Sequence, residues 1–263
     1  MLRFRNCGNA LSLYGAIVAC CLLLIPVMSF GQDRWEWPDS TENLQVLPKD
    51  WSGKRLRPVM QGFTRALGVR CSHCHVGEEG QPLSTYDFPS DKNPKKDVAR
   101  AMLKMLGDIN EHLDGIEEIN SGDSKRVNMW CHTCHRGRAR PMALNEELTA
   151  EYMANGLDAT VKHYRDLREQ FYGRGAYDFG EQGLNGLGYG LLGQKQVEAA
   201  IAVFLLNVEY NPESANVYDS LAEAYMTAGN NELAILNYGK SLEKDPDNEN
   251  AKKQLEALRA KTE

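Results

Sequence analysis

The sequence predicts an all-α protein made of two successive modules. In the first module, two helical patterns are each followed by a Cys-x-x-Cys-His segment, at residues 71–75 and 131–135. In the second module, apolar and small residues repeat every 34 residues, which is the spacing between Pro212 and Pro246. A βαβ pattern is absent. Together, these observations predict two helical units on one chain.

Residues 1–31 have the pattern of an export segment. A basic start is followed by an almost wholly apolar run over residues 10–30, and small residues precede a cleavage point before Gln32. Two alternatives remain open: an uncleaved anchor, because the run approaches the roughly 20 residues that span a bilayer, and a lipoprotein cut before Cys20. All three place the folded part in the periplasm or on the outer face of the cytoplasmic membrane.

The cysteines fall into two groups. Three of the seven lie in the export segment, and the other four form the two Cys-x-x-Cys-His units. Two thiols one helical turn apart can add to the vinyl groups of one haem, whose iron the following histidine then binds. We therefore predict two covalently attached haem c groups. The predicted cofactor-binding residues are Cys71, Cys74 and His75 for the first haem, and Cys131, Cys134 and His135 for the second.

A four-thiolate zinc site is the competing interpretation of two Cys-x-x-Cys pairs. It leaves both histidines unexplained and needs a gap of 56 residues between the pairs. Disulfide pairing would not require two identical units either. Haem attachment is therefore the better prediction.

The sixth iron ligand decides whether such a haem transfers electrons or binds small molecules. Met60 lies on an apolar helical face eleven residues before Cys71, so we predict it as the distal ligand of the first haem. For the second haem, Met105 or Met102 fits, because both face inward from the preceding helix. His112 would give a bis-histidine site instead. The remaining alternatives are Met129, Met142, His163 or no sixth ligand.

The helical patterns give the domain boundaries. An irregular lead-in at 32–50 precedes a di-haem module at 51–144, a helical linker at 145–178 and a repeat domain at 179–263. Within these domains we predict helices over residues 56–68, 97–113, 146–172 (in one or two pieces) and 249–260, and polar loops over residues 76–94 and 114–127.

The repeat resembles tetratricopeptide repeats, in which small residues allow two antiparallel helices to pack closely. Five positions before each proline recur at matching offsets. They are Leu184, Leu187, Gly188, Ala200 and Phe204, followed by Tyr218, Leu221, Ala222, Ala234 and Tyr238. Such arrays bind peptides or proteins, so we predict that this tail docks a partner. Two repeats and a cap leave only a small groove, so a packing module is the alternative.

Charge divides the two modules. Residues 51–144 carry fifteen Lys and Arg against eleven Asp and Glu, a net +4, whereas residues 145–263 carry eleven against twenty, a net −9. Neither half has the basic stripe that a nucleic-acid surface needs. Protein partners are therefore expected rather than nucleic acid, with membrane association only through the N-terminus.

Residues 50–142 resemble the cytochrome c subunit of photosynthetic reaction centres. The resemblance is carried by the run from Met60 to His75, by Met102-Leu103-Lys104-Met105 and Ile109-Asn110, and by the second motif with Arg136-Gly137. It implies a helix, a turn and a motif helix for each haem, with a methionine from the first helix as distal ligand. That subunit carries four haems in two halves, so the chain resembles one half. The tail has no counterpart there.

We therefore expect a di-haem electron carrier that exchanges single electrons with redox partner proteins, and not an enzyme. A di-haem peroxidase is one alternative, although no acid/base residues stand out for it. A redox- or ligand-sensing scaffold is the other.

Overall fold

The computed structural model describes residues 35–117 and 128–260. Across these ranges the regular structure is helical, apart from one isolated antiparallel bridge between Val76 and Asp87. The all-α prediction is therefore confirmed. The predicted export segment lies outside the described residues, as does the 118–127 part of the predicted polar loop. In the described ranges, no helix has both the length and the apolar character needed to cross a bilayer.

The described residues from Glu36 onward form one compact unit. Its helices are α1 (Gly53–Leu67), α2 (Lys95–Asp114), α3 (Cys131–His135), α4 (Leu144–Phe171), α5 (Glu181–Gly193), α6 (Val197–Tyr210), α7 (Ala215–Thr227), α8 (Asn231–Lys244) and α9 (Glu249–Arg259). Two 3-10 turns, Cys71–His73 and Leu83–Thr85, lie between α1 and α2. The helices predicted from periodicity are all present, with ends shifted by a few residues at most.

Helix α1 ends where the sequence predicted, at Gly68. This residue adopts a left-handed φ of 67° and its N–H bonds the Thr64 carbonyl. Gly137, which follows the second motif, donates its N–H to the Ala66 carbonyl at 2.8 Å. A Cβ on Gly68 would come within 2.0 Å of the Gly137 carbonyl oxygen. The end of α1 is therefore held directly against the turn after α3.

Helix α4 is a hairpin of two antiparallel pieces. Gly156 interrupts it with φ 81° and ψ −173°, a conformation open to glycine and outside the helical region. His163 Nε2 lies 3.3 Å from Glu147 Oε1, although the two residues are sixteen positions apart. A straight helix rising 1.5 Å per residue would separate them by about 24 Å. The chain therefore turns back at Gly156.

The tail consists of two helix pairs, α5–α6 and α7–α8, followed by α9. Gly188 on α5 faces Phe204 on α6 so closely that a Cβ on Gly188 would lie 2.5 Å from the Phe204 ring. At the equivalent positions of the next pair, Ala222 and Tyr238 are both fully buried in one cluster. A small residue thus lies in the same place relative to a large ring in both pairs. The structure therefore has the helix-pair repeat that the sequence predicted.

The buried core lies mainly in the second half of the chain. One cluster joins α4, α5, α6 and α7, and a second joins α7, α8 and α9. In the described residues before Leu144, the buried apolar side chains are Leu56 and Ala66. The described residues of the first module thus bury few apolar side chains of their own.

Candidate haem sites

The first motif begins in the 3-10 turn Cys71–His73. The backbone N–H groups of Cys74 and His75 donate to the Cys71 carbonyl at 3.2 and 2.9 Å, which winds the segment into one turn. Cys71 and Cys74 are free thiols, both half-buried. Burial raises the pKa of the Cys74 thiol, while the Lys95 ammonium acts in the opposite direction. The turn thus places two thiols directly before His75.

His75 is oriented by a backbone carbonyl. Its Nδ1 lies 3.3 Å from the Phe88 oxygen, and the Phe88 ring meets the imidazole edge-on at 5.0 Å. Because a carbonyl can only accept, Nδ1 carries the proton and Nε2 keeps a free lone pair. Burial lowers the pKa of His75, and the Lys96 ammonium lowers it further. His75 is therefore a neutral imidazole of the kind that binds metal through Nε2.

The loop that supplies this carbonyl is fixed at its far end. Lys96 Nζ donates to the carbonyls of Phe88, Pro89 and Ser90 at 2.8–3.0 Å. Asn93 Nδ2 donates a hydrogen bond to the His73 carbonyl at 3.1 Å. The predicted loop at 76–94 thus packs against the motif and positions its histidine.

The second motif forms helix α3 and has the same arrangement. His135 Nδ1 lies 2.9 Å from the Arg138 carbonyl, which leaves Nε2 available in the same way. Arg136 and Gly137 then reverse the chain with positive φ values of 49° and 85°. Cys131 is half-buried, and burial raises the pKa of its thiol. The two motifs therefore share a geometry: paired thiols followed by a histidine whose Nδ1 donates to a carbonyl.

The predicted distal methionines lie on two different helices. Met60 is half-buried on α1, and Phe63 from the same helix stacks on Trp130 at 6.0 Å, next to the second motif. Met102 and Met105 lie on α2 and are 44% and 49% exposed. They belong to an exposed apolar stripe of α2, formed by Val98, Met102, Met105 and Ile109. No residue of α2, which is described throughout, is buried.

The other predicted candidates have different surroundings. His112 is exposed and its Nδ1 donates to the Asp108 carbonyl at 2.7 Å. His163 pairs with Glu147 across the α4 hairpin. The Met142 carbonyl accepts from Arg138 Nη1. Met129 is linked through its backbone to Asn110 on α2.

A cavity of about 410 Å³ adjoins the second motif. Its walls include Cys134 and Arg138 from the motif and its turn, and Tyr177 from the segment that enters the tail. The Arg138 guanidinium lies 4.0 Å from the centre of the Tyr177 ring, and Arg136 Nη1 donates to the Gly175 carbonyl at 2.8 Å. These contacts were not foreseen from the sequence, because nothing in the local pattern around Tyr177 distinguishes it from the other tail aromatics.

The residues present fit covalently attached haem. In both motif histidines Nδ1 donates to a carbonyl, so Nε2 is free to bind iron. Helix α2, which carries the exposed apolar stripe, is bonded through Asn110 to Met129 just before α3. In the described ranges, the four cysteines are not assembled into a cluster of metal-binding side chains. The two pairs are therefore arranged as separate sites.

A helical module with two such motifs has the features of a c-type cytochrome. The chain belongs to the photosynthetic reaction centre cytochrome C subunit family, whose model matches residues 31–171. This match is longer than the 50–142 stretch that carried the resemblance, and it includes the α4 hairpin. The family consists of electron-transfer subunits with covalently bound haem c.

Two curated relatives align with part of the chain. The photosynthetic reaction center cytochrome c subunit of Roseobacter denitrificans is 38% identical over 127 residues, which cover 48% of this chain and 32% of the relative. Cytochrome c-554 of Chloroflexus aurantiacus is 30% identical over 105 residues, covering 40% and 22%. The chain thus spans a third or less of the length of these relatives.

Solved structures resemble the chain more weakly. The first TPR domain of human RPAP3 aligns over 44% of this chain and 87% of its own length, with 18% identity and a TM-score of 0.33. The first TPR of Spaghetti (RPAP3) bound to an HSP90 peptide aligns with 18% identity and a TM-score of 0.33, covering 45% of this chain and 90% of that one.

Proposed function

We propose that this protein is an exported di-haem electron carrier. Cys71 and Cys74 hold one haem with His75 as its proximal ligand, and Cys131, Cys134 and His135 hold the second. The observation that carries the proposal is the matching bond in each motif, from histidine Nδ1 to a backbone carbonyl. A metal-binding imidazole ordinarily donates its other N–H in this way, which fixes ring orientation and raises ligand basicity.

The distal ligands are methionines in this proposal. Met60 would be the sixth ligand of the first haem. Met105 or Met102, on the exposed apolar stripe of α2, would be the sixth ligand of the second. Methionine as sixth ligand raises the reduction potential and closes the iron to small molecules. Both effects favour electron transfer over catalysis.

Haem, when bound at these motifs, would supply one-electron redox chemistry. The chain's own residues would hold and orient the haems: the cysteines would attach them covalently and the histidines would bind their iron. The exposed apolar stripe of α2 is a surface that could cover haem from water. No side chain needs to transfer a proton for this function.

The tail, residues 179–263, docks a redox partner in this proposal, and residues 1–31 direct the protein out of the cytoplasm. The net charge of −9 over residues 145–263 favours a partner with a basic surface, since complementary charge accelerates association. Electron transfer to a lysine-rich probe cytochrome c should therefore slow as ionic strength rises. A rate that is independent of salt would contradict electrostatic docking.

Mass spectrometry of the mature protein tests the central proposal directly. Two haem adducts and an N-terminus at Gln32 are expected. A reduced optical spectrum with and without carbon monoxide then separates the functions: two low-spin haems indifferent to carbon monoxide are expected of an electron carrier. Carbon monoxide binding by either haem of the unmodified protein would favour an enzyme or a gas sensor instead.

A further inference from the structure

Arg138 lies between the second motif and the segment that enters the tail. Its backbone carbonyl accepts the bond from His135 Nδ1 at 2.9 Å. Its Nη1 donates to the Met142 carbonyl at 2.5 Å, and its guanidinium stacks 4.0 Å from the centre of the Tyr177 ring. One residue therefore contacts both the predicted proximal ligand and the segment leading to the repeats.

The Tyr177 ring is held in place by its neighbours. Phe171, at the end of α4, meets it edge-on at 5.6 Å, and Phe179 does so at 5.8 Å. Phe179 belongs to the main buried cluster, and the adjacent Ala176 is 5% exposed. The surface against which the guanidinium stacks is therefore part of the packed core of the second half of the chain.

The carbonyl of Arg138 is positioned by two anchors, one from its backbone and one from its side chain. The residue follows Arg136 and Gly137, whose positive φ values take the chain out of the helix. The Arg138 N–H donates to the His135 carbonyl at 2.9 Å, which links the two backbones directly. The guanidinium, stacked on Tyr177 and bonded to the Met142 carbonyl, adds a second anchor from the side chain.

We propose that Tyr177 is a positioning residue for the second haem, acting through Arg138 to hold the His135 Nδ1 bond. This inference rests on the proposed function, because it takes the second motif to carry haem. A donated Nδ1–H makes the imidazole a more basic iron ligand, which favours the ferric state and lowers the reduction potential. Removing the Tyr177 ring loosens that bond and raises the potential of the second haem alone.

The first haem provides an internal reference. The Phe88 carbonyl that accepts from His75 is fixed by Lys96 Nζ at 3.0 Å, and Lys96 lies within the same module. Its position does not depend on Tyr177. A change at Tyr177 should therefore leave the first potential unaltered.

The test is a potentiometric titration of the holoprotein carrying Tyr177→Ala, with electron paramagnetic resonance of the ferric form. One of the two reduction waves in the titration should move to higher potential, and one set of g-values should change with it. The double variant Cys131→Ala/Cys134→Ala, which cannot attach the second haem, should lack that same wave. Tyr177→Phe keeps the ring and should restore both potentials. Tyr172→Ala removes a ring of the same region that stacks on Arg168 instead, so it should change neither.

Unchanged potentials in Tyr177→Ala, or equal shifts of both waves, would overturn the inference. If Tyr177→Ala does not fold, Tyr177→Leu retains the apolar bulk without the aromatic face and is judged by the same criteria. The mass of the unmodified protein separates the two proposals. A haem adduct missing from the peptide that contains Cys131 and Cys134 contradicts the di-haem proposal and this inference together, whereas two adducts with unshifted potentials contradict this inference alone.

Discussion

Asn110 and Met129 exchange two hydrogen bonds across nineteen residues of sequence. Asn110 Nδ2 donates to the Met129 carbonyl at 3.1 Å, and the Met129 N–H donates to Asn110 Oδ1 at 2.7 Å. A side-chain amide thus occupies both backbone groups of a residue just before the second motif. This pair ties α2, with its two candidate distal methionines, to the segment that begins α3.

Asn110→Ala should lower the free energy of unfolding by about 1–3 kcal/mol, because two half-buried backbone groups lose their partner. Denaturant unfolding followed at the haem absorption would measure it. Asn155→Ala is the matched control, since Asn155 makes one exposed bond to Glu151 and should change the unfolding free energy by less than about 0.5 kcal/mol. Equal effects of the two variants would refute a special role for Asn110.

Met60→Ala should open the sixth coordination position of the first haem. Carbon monoxide should then bind to about half of the reduced haem in the variant and to none in the unmodified protein, because methionine ligation closes the iron. Met153→Ala removes a methionine that is 71% exposed and should leave the spectrum unchanged. A Met60→Ala protein that still ignores carbon monoxide would show that another residue ligates the first iron.

The same assay assigns the ligand of the second haem. Met105→Ala and Met102→Ala are compared one at a time, and the variant that gains carbon monoxide binding identifies the ligand. We expect one of the two to respond. If both remain indifferent, His112 becomes the next residue to replace.

Gly68→Ala should destabilise the protein by at least about 2 kcal/mol. The new Cβ would meet the Gly137 carbonyl at 2.0 Å, and the φ of 67° is unfavourable for any residue with a side chain. Gly80→Ala separates these causes, because Gly80 also has a positive φ, of 87°, with no described atom within 4 Å of the added Cβ. In thermal unfolding, the Gly68→Ala variant should have a much lower melting temperature than the Gly80→Ala variant. Comparable melting temperatures would mean that small shifts of the structure relieve the close contact at little energetic cost.

Acid should weaken the anchorage of α2 through Asp91. The Arg100 guanidinium, then Asn43 and Lys96, hold the pKa of this carboxyl well below its usual range. A group whose pKa is lowered on folding stabilises the native state fully above its unfolded pKa of about 3.9 and loses that contribution as pH falls. Hydrogen exchange of α2 should therefore accelerate below about pH 4.

Asp91→Asn provides the comparison for this titration. The variant cannot ionise at position 91, so its α2 should exchange faster than that of the parent protein near neutral pH. Its exchange should also depend less on pH in the acid range, once both profiles are corrected for intrinsic exchange rates. Parallel pH profiles of the two proteins would exclude Asp91 as the source of the faster exchange of α2 in acid.

The helices and the two motifs were predictable from the sequence because their signals are local. Apolar spacing placed α1 and α2, glycine at position 68 marked the end of α1, and a period of 34 residues revealed the paired helices of the tail. The choice between Met102 and Met105 could not be made in this way. Residues three apart share one face of a helix, so periodicity cannot separate them.

What the sequence by itself determined is therefore the helical class, the repeat and the chemistry available at Cys71–Cys74–His75 and its second copy. These follow from hydrogen bonding and side-chain spacing between near neighbours. Only the tertiary structure decided that α4 turns back at Gly156, that α1 closes on Gly137, and that Tyr177 lies under Arg138. Each of these joins residues far apart in the chain, and such contacts are fixed by which surfaces can be buried together, which no local pattern records.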